Sequence, residues 1–392
     1  MATPAIKRVL LLGSSYSAVD FLLQLKRRGL HVSVCGGIKN DPCHAFADES
    51  FFVDYSKPEL VEEVVRQGQF DYLAPSCNDI SYLTGATIAA KYGFKGFDSL
   101  VNAEIIHNKR AFRGFTQDRI KVPRTFADLD AAHQFLEQSA KHEVIVKPID
   151  SFSGKGVSRV ARAGDLPKAV QLAKESSKMA GTIIEEFVQG RLHSHSAFLK
   201  DQSVALDFFV DEYCLVYPYQ VDASNHPSAI ASHLRTRVRT EINKMAKMLN
   251  LTDGLLHTQF IADDEDFWII ECMRRCPGDL YYNLIKYSTG IEYVDWFLKG
   301  FIGEDYTVEK NEVPAKPVIR HTVSSNEDLM FSNYLALIEN RQMHNFPLKL
   351  TGEKLKAAPF DKAGIIFIQA ENDAEMFDWT PRLNELFKVN RF

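Results

Sequence analysis

The chain reads as an α/β N-terminal domain followed by an α+β domain and a small C-terminal α+β extension, with boundaries at residues 1–101, 102–310 and 311–392. Three observations predict this. Over the first hundred residues, short β-branched runs alternate with amphipathic helical stretches, the pattern of parallel βαβ units. From about residue 143 onward, several strands follow one another across turns, which calls for antiparallel pairing. The tail returns to isolated short strands, 318–323 and 364–369, with a helical stretch at 381–387.

The N-terminal domain opens with a strand at 9–12, a turn at 13–17, a helix at 19–28 with Phe21, Leu22 and Leu25 on one face, and a strand at 31–35. A dinucleotide fold would need G-x-G-x-x-G and an acid after the second strand. Here Gly13 is followed by Ser15 and Ala18, and Cys35-Gly36 stands in the place of the acid, which disfavours a redox cofactor. A strand at 51–53, a helix at 58–67, a strand at 72–74 and a helix at 81–92 complete the domain.

Residues 102–113 look helical and carry Asn108-Lys109-Arg110, before Val122-Pro-Arg-Thr125 breaks the pattern and 131–139 forms another helix. The segment 143–157 is the most informative. Val144, Ile145 and Val146 suit a buried strand, with Lys147 at its end and Pro148 stopping it. Gly154 and Gly156 then allow successive N–H groups to converge on an anion, with Ser151, Ser153 and Lys155 as further donors. An ordinary hairpin turn with surface lysines is the plain alternative.

A helix at 167–177 precedes strands at 182–188 and 191–199, which pair antiparallel. Glu185 and Glu186 interrupt an apolar strand, so they either sit at a solvated edge or line a cleft with a polar ligand. His193 and His195 share one strand face, in core or cleft. The polar segment 221–233, with Asp222, Ser224, His226 and His233, is either a solvated loop or part of an acceptor site. Arg235, Arg237 and Arg239 are expected at the surface near a helix at 241–249. Strands at 255–261 and 267–272 form a hairpin over the acidic turn 262–266, with Gln259 and Glu271 on facing strands. The hairpin runs into Met273-Arg-Arg-Cys-Pro-Gly-Asp279, where charge leaves the core and a site is expected.

With 45% hydrophobic and 25% charged residues, the composition is that of a globular protein. A net charge of -5 offers no basic face for nucleic acid or anionic lipid, so neither is expected as a partner. The N-terminus lacks the apolar segment of a signal peptide and no run reaches membrane-spanning length, so a cytoplasmic location is expected. Six cysteines without a C-x-x-C pair fit reduced thiols.

Taken in order, Lys109, Val146-Lys147-Pro148, the Ser/Gly loop, Ile184-Glu-Glu-Phe-Val188, and Gln259 and Glu271 twelve positions apart resemble the ATP-grasp superfamily of carboxylate ligases. Its members include biotin carboxylase and the purine-biosynthetic ligases, and the resemblance spans residues 1–310. It implies an α+β two-lobed ATP-grasp domain over residues 102–310, ATP and Mg²⁺ as cofactors, and small-molecule carboxylate and amine substrates. The expected reaction forms a carbon–nitrogen bond through an acyl phosphate, releasing ADP and phosphate. Lys109 and Lys147 would hold phosphates, and Ser151, Ser153, Gly154, Lys155 and Gly156 would close over them. Glu185, Glu186, Phe187 and Val188 would form the hinge whose backbone meets adenine. Glu271 and Gln259 would hold the metal, while Arg275 and Lys147 would serve the transferring group. A homodimer is left open.

Three departures from the family pattern thin this site. Gln259 replaces a usual carboxylate, Met273 a usual Asn, and Leu192 stands where a ribose-binding Glu is often found. Thioether sulfur is a poor Mg²⁺ ligand, and Asp279 is the candidate substitute. These departures motivate the rival expectation of a nucleotide-binding protein without turnover.

Overall fold

The computed structural model describes residues 6–151, 154–306 and 314–392. Its first sheet is fully parallel, in the order Glu49–Phe51, His31–Cys35, Arg8–Leu12, Tyr72–Pro75. Helices Val19–Arg27, Pro58–Gly68 and Asp79–Tyr92 accompany it. A parallel sheet covered on both faces needs continuously apolar strands, and Val9, Leu10, Leu11 and Leu12 are all fully buried. The chain leaves this strand at Gly13 with φ at +127°, where a Cβ would lie 2.1 Å from Ser76 Oγ. Only glycine fits that close approach.

The helical pattern of 102–113 divides into two helices, Leu100–His107 and Lys109–Thr116. Asn108 causes the break. Its backbone is extended and its Oδ1 accepts the N–H groups of Arg110 at 3.0 Å and Ala111 at 3.1 Å, so it caps the second helix. Lys109 thereby starts a helix instead of lying within one.

A four-stranded antiparallel sheet follows, in the order Thr125–Phe126, Thr182–Glu186, Val144–Pro148, Ser158–Val160. Helices Leu129–Gln138 and Leu166–Glu175 bury Phe135, Leu136, Val170 and Ala173 beneath it. The largest sheet has eight strands: Phe267–Met273, Gly254–Ala262, Arg191–Lys200, Ser203–Tyr213, Ala223–His226, Val318–Val323, Gly364–Gln369 and Met343–Pro347. Helix Ser232–Met248 packs Leu234, Val238, Ile242 and Met245 on one face of it. Helices Tyr281–Thr289 and Tyr293–Ile302 share one core with Phe198 and Phe208 of this sheet and with the N-terminal sheet.

Two of these strands escape the hydrophobic pattern. Ser203–Tyr213 contains Asp207, Asp211 and Glu212, while Ala223–His226 lies within the stretch read as a polar segment, yet all four of its residues are buried. Their polar side chains find partners on other strands of the sheet and, for His226, on helix Tyr281–Thr289, which apolar periodicity cannot register. The strands at 318–323 and 364–369 appear where expected, but they extend the eight-stranded sheet directly from residues 223–226. The terminal helical stretch is shifted. Helix Asp373–Trp379 leads through a tight turn at Thr380–Arg382 into the short helix Leu383–Leu386, and Phe387–Arg391 is a strand paired with Leu329–Ala336. No helix among the described residues is long and apolar enough to cross a membrane.

Candidate functional site

The four-stranded and eight-stranded sheets meet at a cluster built around Glu185. The strand Val144–Pro148 alternates its faces and presents Lys147 beside the strand Thr182–Glu186. Lys147 Nζ donates to Glu185 Oε2 at 2.7 Å, and Arg113 Nε donates to Glu185 Oε1. Glu185 is only 2% exposed. Burial alone would raise its carboxyl, but Lys147 and Arg113 outweigh it and hold the group down at about 2. Arg113 also donates from Nη2 to Ile270 O at 2.7 Å, tying the smaller sheet to the hairpin. Glu185 is thus a buried counter-ion. The ammonium of Lys147 keeps two further hydrogens for a ligand.

The second lysine spans the same junction. Lys109 Nζ donates to Ser151 O at 2.9 Å and lies 3.8 Å from Glu271 Oε2, so it links the glycine loop to the hairpin. In the loop, Ser151 Oγ donates to Lys155 O at 3.0 Å, and Gly154 and Gly156 have φ of +70° and +72°. A Cβ on Gly154 would lie 2.7 Å from Pro218 O, so the loop lies close against that segment. Lys155 Nζ sits 5.0 Å from the Phe360 ring centroid. Ser153 lies outside the described residues.

Gln259 and Glu271 are direct cross-strand partners on Gly254–Ala262 and Phe267–Met273. Gln259 Nε2 donates to Glu212 Oε2 at 2.7 Å. Glu212 is buried, and that burial pushes its carboxyl up, against the pull of nearby Arg320. With its nitrogen held by Glu212, Gln259 keeps its carbonyl oxygen as a hard donor beside the half-buried Glu271 carboxylate. Among the described residues, no group of three or more His, Cys, Asp or Glu side chains converges to hold a metal ion. Two hard oxygens suit Mg²⁺ carried on phosphates and water better than a cage made by protein alone. Met273 is buried. Asp279 is not its substitute: its carboxylate accepts from Tyr16 OH at 3.2 Å, from Thr322 Oγ1 at 3.4 Å and from Lys362 Nζ.

The expected hinge offers less backbone than its sequence suggests. Glu186 N–H donates to Arg124 O at 2.8 Å and Phe187 N–H to Glu143 O at 2.9 Å, so both donors are spent within the sheet. Among the described residues, the next donor, Val188 N–H, meets no main-chain acceptor. Leu192 borders a cavity of about 300 Å³ that is also lined by His193, Asp211, Glu212 and Cys214. His193 Nδ1 is 2.9 Å from Asp211 Oδ1, and His195 Nε2 is 2.7 Å from Asp207 Oδ2. Both histidines are therefore buried with acids, a pairing that required the unrecognised strand Ser203–Tyr213. Of the three arginines expected at the surface, only Arg237 is exposed; Arg235 donates to Ser228 O and Arg239 forks onto Asp207.

Two arginines complete the region. Arg275 does not stand free at the hairpin end; it donates from Nε to Asp79 Oδ1 at 3.0 Å and from Nη2 to Asp79 Oδ2 at 3.4 Å. Arg320, which sequence reasoning missed, is 4% exposed, donates from Nη2 to Ser224 Oγ at 2.8 Å and from Nη1 to Asp279 O at 3.3 Å, and has no partner at Nε among the described residues. A signal was present. An arginine inside the apolar strand Val318–Val323 is as anomalous as Glu185 in its own strand. Arg113 and Glu212 gave no comparable sign, because each is explained only by a partner distant in sequence.

No family model matches the chain. By sequence, it is 30% identical over 190 residues to a formate-dependent phosphoribosylglycinamide formyltransferase of Prochlorococcus marinus, covering 46% of this chain and 48% of that one. The corresponding protein of Francisella tularensis is 25% identical over 186 residues, with the same coverage. The match thus spans about half the length of these relatives. The fold matches over nearly the whole chain. Phosphoribosylglycinamide synthetase from Anaerococcus prevotii superposes with a TM-score of 0.77 at 20% identity, covering 99% of this chain and 100% of that one. The biotin carboxylase domain of Hydrogenobacter thermophilus 2-oxoglutarate carboxylase, in complex with MgADP and bicarbonate, gives 0.78 at 14% identity, covering 99% and 91%. The L-amino acid ligase of Bacillus licheniformis gives 0.77 at 17% identity over 100% of both chains. Along nearly its whole length the chain has the fold of these three proteins, and over almost half of it its sequence is similar to the formate-dependent formyltransferases.

Proposed function

We propose that the protein is an ATP-dependent carboxylate–amine ligase that works through an acyl phosphate. The observation that carries this reading is the convergence of Lys109, Lys147 and Glu271 with the glycine loop, where the antiparallel four-stranded sheet meets the eight-stranded sheet. Phosphoryl transfer asks for positioning and charge neutralisation more than for a protein nucleophile. Lys109 and Lys147 hold the phosphates, while amides of Gly154 and Gly156 add fixed donors. Val188 N–H and the cavity beside Leu192 take the nucleoside. Glu271 and the Gln259 carbonyl hold Mg²⁺, which when bound neutralises phosphate charge. An oxygen of the substrate carboxylate attacks the γ-phosphorus and the bond to the ADP oxygen breaks. The amine nitrogen then attacks the acyl carbon, phosphate leaves, and the nitrogen gives a proton to solvent.

The acid is read onto Arg320, whose buried guanidinium keeps Nε without a partner beside Ser224 and Asp279. The formyltransferases that the chain matches are described as formate-dependent, and an amino acid ligase shares the fold. These likenesses favour a small carboxylic acid and an amine. A cytoplasmic homodimer belongs to the same reading.

A second reading, nucleotide binding without turnover, is favoured by Gln259 being tied to Glu212 and by the burial of Met273. ADP release over a panel of small carboxylic acids paired with amines separates the two. Release that depends on both partners supports the ligase. Saturable ATP binding without ADP release under any pair supports the second reading.

A further inference from the structure

The adjacent residues Arg274 and Arg275 are held in opposite ways. Arg274 is consumed by the protein: its Nε donates to Asp98 Oδ2 at 2.6 Å, Nη1 to Leu255 O at 2.9 Å and Nη2 to Thr252 O at 2.7 Å. Arg275 gives only one edge. Nε and Nη2 face Asp79, while among the described residues Nη1 has a single long contact, 3.4 Å to Cys276 O. The side chain of Arg275 is 16% exposed, against 2% for Arg274.

Asp79 is itself fixed. It opens helix Asp79–Tyr92, whose capping residue Asn78 accepts from Ser81 N–H at 2.8 Å. Asp79 Oδ1 also accepts from His107 Nδ1 at 2.9 Å. His107 Nε2 receives the N–H of Arg274 at 3.3 Å, which makes Nδ1 the ring's proton-bearing nitrogen, and the ring stacks on Tyr82 at 5.1 Å. A carboxylate on a helix N-terminus, gripped by a buried imidazole, is a rigid anchor for a planar fork. It is supplied by the N-terminal domain, 196 positions away in sequence.

We infer that Asp79 is a positioning residue, which fixes the plane of the Arg275 guanidinium so that its Nη1 side meets the phosphoryl group of a bound nucleotide. The inference rests on the ligase reading for the presence of that nucleotide. It gives the N-terminal domain a direct part in the site: the domain aims a cation that the hairpin carries. Asp79 acts through Arg275 and contacts no ligand.

The test is a double-mutant cycle on binding, read by calorimetric titration with the non-hydrolysable β,γ-imido analogue of ATP in Mg²⁺. Wild type, Asp79→Asn, Arg275→Ala and the double variant are compared, with thermal melts to verify folding. Asp79→Asn should weaken analogue binding about tenfold, the scale for a group supporting a site residue. In the Arg275→Ala background the same change should alter binding by less than about twofold, since the pair is coupled. If Asp79→Asn does not fold, Asp79→Glu goes through the same cycle, because it keeps the charge and displaces the anchor. An equal loss in both backgrounds, or no loss in wild type, overturns the inference alone. A wild-type protein that does not bind the analogue overturns the nucleotide reading and this inference together.

Discussion

Gln259 and Glu271 stand opposite each other across the hairpin, yet Gln259 is bound from behind by the buried carboxylate of Glu212 at 2.7 Å. The amide is the partner that a buried acid can accept. Replacing it with an acid sets two carboxylates against each other.

Gln259→Glu should therefore lower stability without Mg²⁺ by about 2 kcal/mol, the scale of losing a hydrogen bond to a charged group. With Mg²⁺ and ATP, the variant should recover more of its melting temperature than wild type gains. Paired thermal melts with and without the ion read this directly. Equal Mg²⁺ shifts in both proteins would place the ion away from this hairpin.

Glu271→Gln keeps the shape and removes the charge. Turnover should fall by roughly 10²-fold or more, as when one electrostatic stabiliser is lost. Nucleotide affinity should fall less, because Lys109, Lys147 and the loop amides remain. Steady-state rates and calorimetric affinities on one preparation separate the two effects, and a wild-type rate would remove Glu271 from the metal site.

Much of this is legible in the sequence. The strand and glycine loop from Val144 to Gly156, the cross-strand pair Gln259 and Glu271, and the parallel opening up to Tyr92 all follow from local signals: β-branched runs, turn residues and apolar period. What stayed hidden depends on contacts between distant segments. Arg113 is an unremarkable helix residue until Glu185 is placed beside it, and Asp79 is an ordinary helix start until Arg275 arrives. Strand Ser203–Tyr213 escaped because Asp211 and Asp207 are satisfied by His193 and His195 on the next strand, and Glu212 by Gln259 one strand further on. The break at Asn108 was readable as a cap, but the helical period ran through it.

The buried cluster of Glu185, Lys147 and Arg113 predicts a pH effect. Glu185 is held at about 2 against an ordinary 4.5, so its charge contributes stability that is fully present above about pH 4.5 and is lost as pH falls towards 2. Glu185→Gln should cost about 3–5 kcal/mol at pH 7, because two cations lose their counter-ion. It should also flatten the decline of stability between pH 4.5 and 2. Urea midpoints at several pH values measure both, and an unchanged acid profile would assign that decline to other carboxylates.

Arg320 lies at a distance in sequence from the phosphate-binding residues, and its unpartnered Nε is read as a contact to the acid substrate. Arg320→Lys keeps the charge and loses the fork. The KM for the acid should rise about tenfold, which corresponds to about 1.4 kcal/mol of lost binding. The KM for ATP should stay within about twofold. A matched rise in both would move Arg320 to the nucleotide.

On the ligase reading, the carboxylate is activated by phosphorylation. Once an acid and amine pair supports ADP release, the acid is supplied with ¹⁸O in its carboxylate and the products are resolved by chromatography and mass spectrometry. The expected products are ADP and inorganic phosphate, with one ¹⁸O carried from the acid into the phosphate. AMP and pyrophosphate, with the label in AMP, would contradict it.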